Sequence, residues 1–314
     1  MPSFRTLICG SLAFDTIMVF PDRFGRHILP DKTHLISVSF TVGDMRREWG
    51  GCAGNIAYNL KALGGEPVVM ATIGQDGDAY RERLVSLGIG IDGLATIPEM
   101  YTAQAFIITD LDDNQITAFH PGAMMRSHDN RVAGVRDIGW GIVAPDGRDG
   151  MLAHAQAFRD GGIPYVFDPG QGMPLFTGEE LVEMIDGARV VAVNDYEGRM
   201  LCERTGLSER DIAARVDALI ITEGAAGSRI VAGKDSLRIP VVKPTALVDP
   251  TGCGDAYRAG LLYGLAHGFD WPKTGQLASL LGSIKIAARG GQNHAIDRES
   301  VAQRYREAWQ SDLW

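Results

Sequence analysis

Cysteine is scarce in this sequence: Cys9, Cys52, Cys202 and Cys253 are the four among 314 residues, scattered and without paired metal-ligand spacing. That scarcity argues against a disulfide framework and for reduced thiols in a cytoplasmic setting. No apolar run approaches the ~20 residues that a membrane span needs. Met1 to Gly10 lack the charged start and long apolar stretch of a signal peptide, so none is expected. Basic residues are in deficit too, with 30 Lys and Arg against 39 Asp and Glu and a formal net charge of −9. A nucleic-acid backbone calls for a basic face, so no nucleic-acid partner is expected. The seven histidines are scattered, and none stands at a triad spacing from Ser or Cys, which leaves hydrolase chemistry without a candidate.

Glycine, by contrast, is plentiful. The 39 glycines are about 12% of the chain against a usual ~7%, which implies tight turns and close backbone approaches of the kind phosphate sites require. Short apolar runs at Thr6–Cys9, Val68–Thr72, Gly141–Ala144, Tyr165–Asp168, Val190–Asn194 and Leu219–Thr222 read as core strands. Between them lie segments with helical spacing, such as Ile56, Leu60, Leu63 and later Leu277, Leu280, Leu281, Ile284. Near-continuous apolar strands joined by helices predict a doubly wound α/β fold, a mainly parallel sheet covered on both faces, in a single domain over 1–314. Two segments break that rhythm. Leu35–Val42 alternates, and Gln104–Asp110 with Gln115–Phe119 flank Asp112-Asp113-Asn114 as a hairpin. Strands with one wet face fit a small separate sheet acting as a lid, with segments near 16–48 and 100–122. The alternative is a local extension of the main sheet.

The strongest motif is Asp249-Pro250-Thr251-Gly252-Cys253-Gly254-Asp255, followed by a helical run over Ala256–Gly268. Glycines at a helix mouth let backbone N–H groups converge on an anion, and the helix dipole adds positive potential. A carboxylate at Asp255 would repel a phosphate there unless it takes a proton from an attacking hydroxyl; otherwise it only caps a helix. Cys253 falls in the first turn of that helix, where positive potential should lower a thiol pKa. A second group comprises Gly10-Ser11, Asp15 and the run Trp49-Gly50-Gly51-Cys52-Ala53-Gly54-Asn55. Asp and Asn beside glycines can grip vicinal hydroxyls, or else Asp15 is a turn residue and Asn55 a helix-surface residue. Asn194-Asp195-Tyr196-Glu197 offers oxygen ligands for the water around Mg²⁺, or an ordinary capped helix start. Thr222-Glu223-Gly224-Ala225-Ala226-Gly227 either contacts nucleotide phosphates or only turns the chain.

Taken together and in this order, these segments resemble the ribokinase-like (pfkB) carbohydrate kinase family over essentially the whole chain, and within it the bacterial adenosine and broad-specificity nucleoside kinases. Gln115 to Met124 and Asp168-Pro169-Gly170-Gln171 point to that subgroup, as do Arg23–Pro30 and Leu35–Phe40. The resemblance implies transfer of the ATP γ-phosphate to the 5′-hydroxyl of a purine ribonucleoside. It makes Asp255 the base and the Gly252, Cys253 and Gly254 amides an anion hole. Asp15, Gly51 and Asn55 would bind the ribose, with Ser11 and Ser39 nearby, while Phe119 stacks on the base and Gln171 reaches toward it. Asn194, Thr222, Gly224 and Gly227 would meet ATP, and Glu197 would hold Mg²⁺ through water. Asp249 and Thr251 would contribute to a K⁺ site, and a homodimer joined through the lid is implied. Ala105 stands where such adenosine kinases carry a second lid aromatic, and Gly172 and Leu175 replace polar or basic side chains. Two rivals stay open: a free-sugar kinase of the same family, and a non-catalytic ligand-binding protein of the same fold.

Overall fold

A computed structural model describes residues 5–28, 38–112 and 114–314. In chain order its strands are β1 (Arg5–Cys9), β2 (Ala13–Val19), β3 (Asp44–Gly50), β4 (Glu66–Gly74), β5 (Gly90–Ile97), β6 (Ala103–Thr109), β7 (Gln115–His120), β8 (Ile138–Val143), β9 (Tyr165–Phe167), β10 (Val190–Asn194), β11 (Ala218–Thr222), β12 (Ser228–Ala232) and β13 (Asp235–Ile239). The helices are α1 (Cys52–Ala62), α2 (Asp78–Ser86), α3 (Arg148–Asp160), α4 (Gly178–Gly187), α5 (Asp195–Thr205), α6 (Glu209–Ala213), α7 (Cys253–Ala266), α8 (Trp271–Lys285) and α9 (Arg298–Trp309).

Nine strands form the main sheet, in the order β13-β12-β11-β10-β9-β8-β1-β4-β5. All neighbours are parallel except β11 with β12 and β12 with β13. Successive side chains of a strand point to opposite faces, and here both faces are dry. Ile8, Val190, Ala192 and Ile220 pack under α1, α7 and α8. Leu7, Cys9, Val191, Val193, Leu219 and Ile221 pack on the other side with residues of α3 and α4. This two-sided burial is why those strands read as unbroken apolar runs. The chain winds outward from β1 through β4 to β5, then returns to β8 on the other flank of β1. The crevice beyond the carboxyl ends of β1 and β8 is therefore the topological switch point, where open α/β sheets bind ligands.

The smaller sheet has the order β3-β2-β6-β7, antiparallel except for β2 with β6. Its hairpin β6–β7 lies where alternation predicts it. Asp110 holds the turn by accepting the N–H groups of Asp112 and Asn114, both at 2.9 Å. The expected strand over Leu35–Val42 is corrected: positions 35–37 lie outside the described residues, and 38–42 are irregular. Phe40 instead closes an aromatic cluster with Phe20 and Phe24, at centroid distances of 4.8 and 5.0 Å. The strand that pairs with the outer edge of β2, away from β6, is β3, hidden in the sequence because it reads Asp-Met-Arg-Arg-Glu-Trp-Gly.

Candidate active site

Asp255 sits in the first turn of α7, entered through Gly252 at φ 78°, a conformation that disfavours any side chain. Burial pushes the Asp255 carboxyl up to about 6, opposed by the Asn55 carboxamide, which donates to Oδ2 at 2.8 Å. No acceptor among the described residues takes the Gly254 or Asp255 amide, whereas the Cys253 amide donates to the Pro250 carbonyl at 3.1 Å. The expected three-amide anion hole is thus narrowed at Cys253. The expected low thiol pKa is also corrected: burial pushes Cys253 up to about 11 despite the helix mouth and Lys285.

Asn55 is 4% exposed and held from both ends. Its Oδ1 accepts from Gln292 Nε2 at 3.2 Å, and the same Nε2 donates to the Tyr80 hydroxyl at 2.8 Å. Tyr80 in turn donates to the Gly50 carbonyl at 2.7 Å, while Arg83 holds the Gln292 side chain and carbonyl, each at 3.2 Å. A side chain on Gly291 would stand 2.3 Å from Asn55 Oδ1, and one on Gly54 would stand 2.0 Å from the Tyr80 hydroxyl. The glycines make room for this network. Behind it, Arg258 of α7 pairs with Asp168 at 3.1 and 3.2 Å, both nearly buried, and donates to the Ala192 carbonyl. These bonds fix α7 to the end of β9 and the middle of β10.

Gly51 lies at φ 86°, and a side chain there would meet the Ser11 carbonyl at 2.5 Å. Ser11 Oγ accepts from the Cys52 amide at 3.3 Å and so serves the start of α1. Asp15 packs over Gly50, where a Cβ would come within 2.4 Å of its Oδ2. Burial, then Glu48 and Asp249, push its carboxyl up to about 6. Pairing places Glu48, Asp15, Ala105 and Phe119 in one row across the four strands of the small sheet, so all four point to one face. Phe119 is 53% exposed there, opposite Ala105. Ser39 is exposed in the irregular segment before β3, and no contact among the described residues ties it to Asp15 or Asn55. Gln171 is exposed in a short 3-10 helix over Gly170–Leu175.

Asn194 and Glu197 form a capping box, each accepting the other's backbone N–H at 2.8 Å. The ordinary helix start is therefore present, with one Glu197 oxygen committed to it. Thr222 ends β11, Gly224 (φ 56°) and Gly227 (φ 93°) turn the chain into β12, and a Cβ on Gly227 would strike the Ile239 carbonyl at 2.1 Å. Asp249 accepts from the Thr251 and Gly290 amides, each at 2.8 Å. Burial works against its charge, yet these bonds hold its carboxyl below the usual range. Its carbonyl accepts from Lys285 Nζ at 2.8 Å.

The pattern of pfkB family carbohydrate kinases matches residues 26–298. The chain belongs to the pfkB family. A nucleoside kinase of Methanocaldococcus jannaschii is 31% identical over 270 residues, 85% of this chain and 89% of that protein. A Burkholderia thailandensis nucleoside kinase, solved with inosine, is 50% identical with a TM-score of 0.89, covering 98% of this chain and 99% of that one. The same enzyme with ADP-inosine gives 52% identity and a TM-score of 0.87, over 98% and 97% of the two chains. For a pfkB kinase the residues missed in the sequence are informative: Tyr80, Arg83, Arg258, Lys285 and Gln292 carry no motif of their own. Only the glycine pair Gly290-Gly291 before Gln292 signalled that backbone comes close there.

Proposed function

We propose that the chain is an ATP-dependent kinase for the 5′-hydroxyl of a purine ribonucleoside. The observation that carries this reading is the row Asp15–Ala105–Phe119. A hydroxyl-binding carboxylate and an exposed aromatic share one face, two strand spacings or about 10 Å apart, the reach of a ribose bearing a base. A free sugar would leave Phe119 without a partner, which weighs against the sugar-kinase rival. The inosine complex of the Burkholderia enzyme supports the same reading.

In this scheme Asn55 donates to Oδ2 of Asp255 and the Cys52 thiol also hydrogen-bonds the carboxyl; the carboxylate takes the 5′-hydroxyl proton as the hydroxyl oxygen attacks phosphorus. The Gly254 and Asp255 amides and the α7 dipole stabilise the transferring phosphoryl group. Asp15 and Gly51 meet the ribose hydroxyls, with Ser11 and Ser39 at the margin, and Gln171 borders the base. Thr222, Gly224, Gly227 and Asn194 border ATP. No three His, Cys, Asp or Glu side chains cluster among the described residues to hold a metal. Mg²⁺ would arrive with the nucleotide phosphates, and Glu197 would hold it through water. The small sheet closes over the nucleoside as a lid, excluding the water that would otherwise hydrolyse ATP. On its other face Met45, Met18, Ile108 and Ile116 form an apolar row, which a second copy would cover in a homodimer; light scattering decides that point. No described helix is long and apolar enough to cross a membrane; the free cysteines are what support a cytoplasmic setting.

A coupled assay over adenosine, inosine, guanosine, cytidine and ribose tests the proposal. Turnover of purine ribonucleosides well above ribose is expected. Rapid turnover of ribose alone would hand the case to the sugar kinase, and no ATP turnover with any acceptor would leave only a binding protein.

A further inference from the structure

Lys285 closes α8 and is 0% exposed. A buried ammonium needs charged or strongly polar partners. Here Nζ donates to the Asp249 carbonyl at 2.8 Å and to the Ala288 carbonyl at 2.9 Å. These two oxygens belong to the two loops that build the phosphate end of the site. Asp249 opens the loop that runs through Gly252 into α7. Ala288 precedes Gly290 and Gly291, the first donating to the Asp249 carboxylate at 2.8 Å and the second pressed against Asn55. The loops are stitched further by the Val248 and Asp249 amides, which donate to the Ile286 carbonyl at 2.9 and 3.2 Å. One ammonium thus sits on backbone oxygens at the point where both loops meet; burial lowers its pKa below the usual lysine value, and Cys253, Asp249 and Asp255 work in the other direction to keep it charged.

The family resemblance implies a K⁺ ion at Asp249 and Thr251, and the residues present do not fit one. The Asp249 carbonyl already faces an ammonium, and a metal ion on the same oxygen would lie beside a like charge in a buried place, where screening is weak. We propose that Lys285 is a tethered cation that stands in for a monovalent metal ion, holding the loop from Asp249 to Gly254 in its anion-binding shape. It is a positioning residue, since it touches neither reacting atom. Nucleotide binding and phosphotransfer by this chain accordingly need no added alkali ion. A side chain fixed in the fold also loses no entropy when nucleotide arrives, whereas a diffusible ion must be captured.

The inference rests on the kinase reading only for its phosphotransfer assay, so ADP binding is measured separately by calorimetry. Both are run in choline chloride, with KCl or NH₄Cl substituted at constant ionic strength. The wild-type chain should change by less than about twofold in ADP affinity and in kcat/KM for ATP, against the ~1.4 kcal/mol that a tenfold change would represent. Activation of either by tenfold or more on adding KCl would overturn the proposal, and this arm needs no variant to fold. Lys285→Met, which keeps the stem and removes the charge, should lose at least tenfold in ADP affinity in choline and recover part of it in KCl or NH₄Cl. Full affinity of Lys285→Met in choline would overturn the proposal, as would a folded variant whose loss no cation repairs, since that is the signature of packing alone. ADP binding indifferent to K⁺ in a chain that phosphorylates no nucleoside would sink the proposed function and leave this inference standing. Nucleoside phosphorylation that appears only with K⁺ would do the reverse.

Discussion

The two ends of the candidate site are built by different means. At the phosphate end the polar side chains are held: Asp255 by Asn55, Asn55 by Gln292, Gln292 by Arg83, and Asp249 by the Thr251 and Gly290 amides. These groups rest on α1 and α7, whose inner faces are part of the dry core. At the nucleoside end, Phe119 and the rest of β7 are exposed. The small sheet is fastened to the main body at Asp76, which accepts from the Thr102 amide at 2.7 Å and from Gln104 at 2.9 Å. Transfer of a phosphoryl group needs donors fixed before the reaction, whereas substrate entry needs a surface that can move. Rigidity and access have been given to separate sheets.

Substitutions at the two ends should accordingly separate in kinetics. The largest loss is expected for Asp255→Asn, with kcat falling roughly 10²–10⁴-fold, the usual worth of a positioned base, while ADP affinity is retained. A variant turning over at near wild-type rate would remove Asp255 from the chemistry. Phe119→Ala should act the other way, raising KM for every purine nucleoside roughly 5- to 150-fold, as expected from losing ~1–3 kcal/mol of stacking. Its kcat at saturation should stay within a few-fold of the wild type. A fall in kcat with KM unchanged would mean that the small sheet shapes the chemistry rather than the encounter.

Each end carries one carboxylate pushed up to about 6 by burial, Asp15 in the small sheet and Asp255 at the helix mouth. Both act charged, so activity should be full above that pH and should fall as pH drops through it. In kcat/KM, which reports the free enzyme, both protonations count, and the acid limb should approach a slope of about two. In kcat, Asp15 would on the proposed reading already be engaged with ribose, and the slope should be about one. Asp15→Asn should bring the kcat/KM limb down to about one as well. An unchanged limb in that variant would show that Asp15 does not titrate in the working range.

Purine choice should move less than any of these. On the proposed reading Phe119 offers one aromatic face, which would grip a purine without reading its edge. Ala105, 8% exposed and directly opposite it, leaves the second face unbuilt. Adenosine and inosine are therefore expected within about tenfold in kcat/KM, or ~1.4 kcal/mol. A thousandfold preference for either would place an edge-reading group among residues not identified above. Deoxyribonucleosides should be much poorer, because Asp15 would then be left buried without a partner.

How much of this was legible in the sequence follows from where each feature's constraint lies. The central strands were legible because both faces of Val190–Asn194 or Ala218–Thr222 are dry, which writes itself as unbroken apolar runs. The Asp249–Asp255 segment was legible because only glycine suits Gly252 and because the bonds around Asp249 and Thr251 are local. The strands β2 and β3 were not, since half-exposed strands that carry Asp15 and Glu48 on the site face lose the apolar signal. Asn55 and Asp255 meet across 200 positions, and Gln292 meets Asn55 across 237. Single polar residues whose partners lie that far away carry no local pattern.

Cys253 shows the same lesson in one side chain and gives the smallest expected effect. The sequence places its thiol at a helix mouth, and that geometry alone lowers a thiol pKa. Its surroundings decide otherwise: removal from water outweighs the dipole and the Lys285 charge, while Asp249 and Asp255 add negative potential, and the thiol rises to about 11. At pH 7.5 such a group holds roughly a few hundredfold less thiolate than a free cysteine of pKa ~8.5. Cys9 and Cys52 are raised well above their ordinary value by burial too, and Cys202 more modestly, also by burial. A small alkylating reagent should therefore modify the folded chain slowly, with Cys202, on α5 and remote from the helix mouth, ahead of Cys253. Mass spectrometry of a time course reads the order directly. Rapid labelling of Cys253 that ATP prevents would mean that the helix mouth is more open and more positive than this fold makes it, and would weaken the case for a fixed, covered phosphate end.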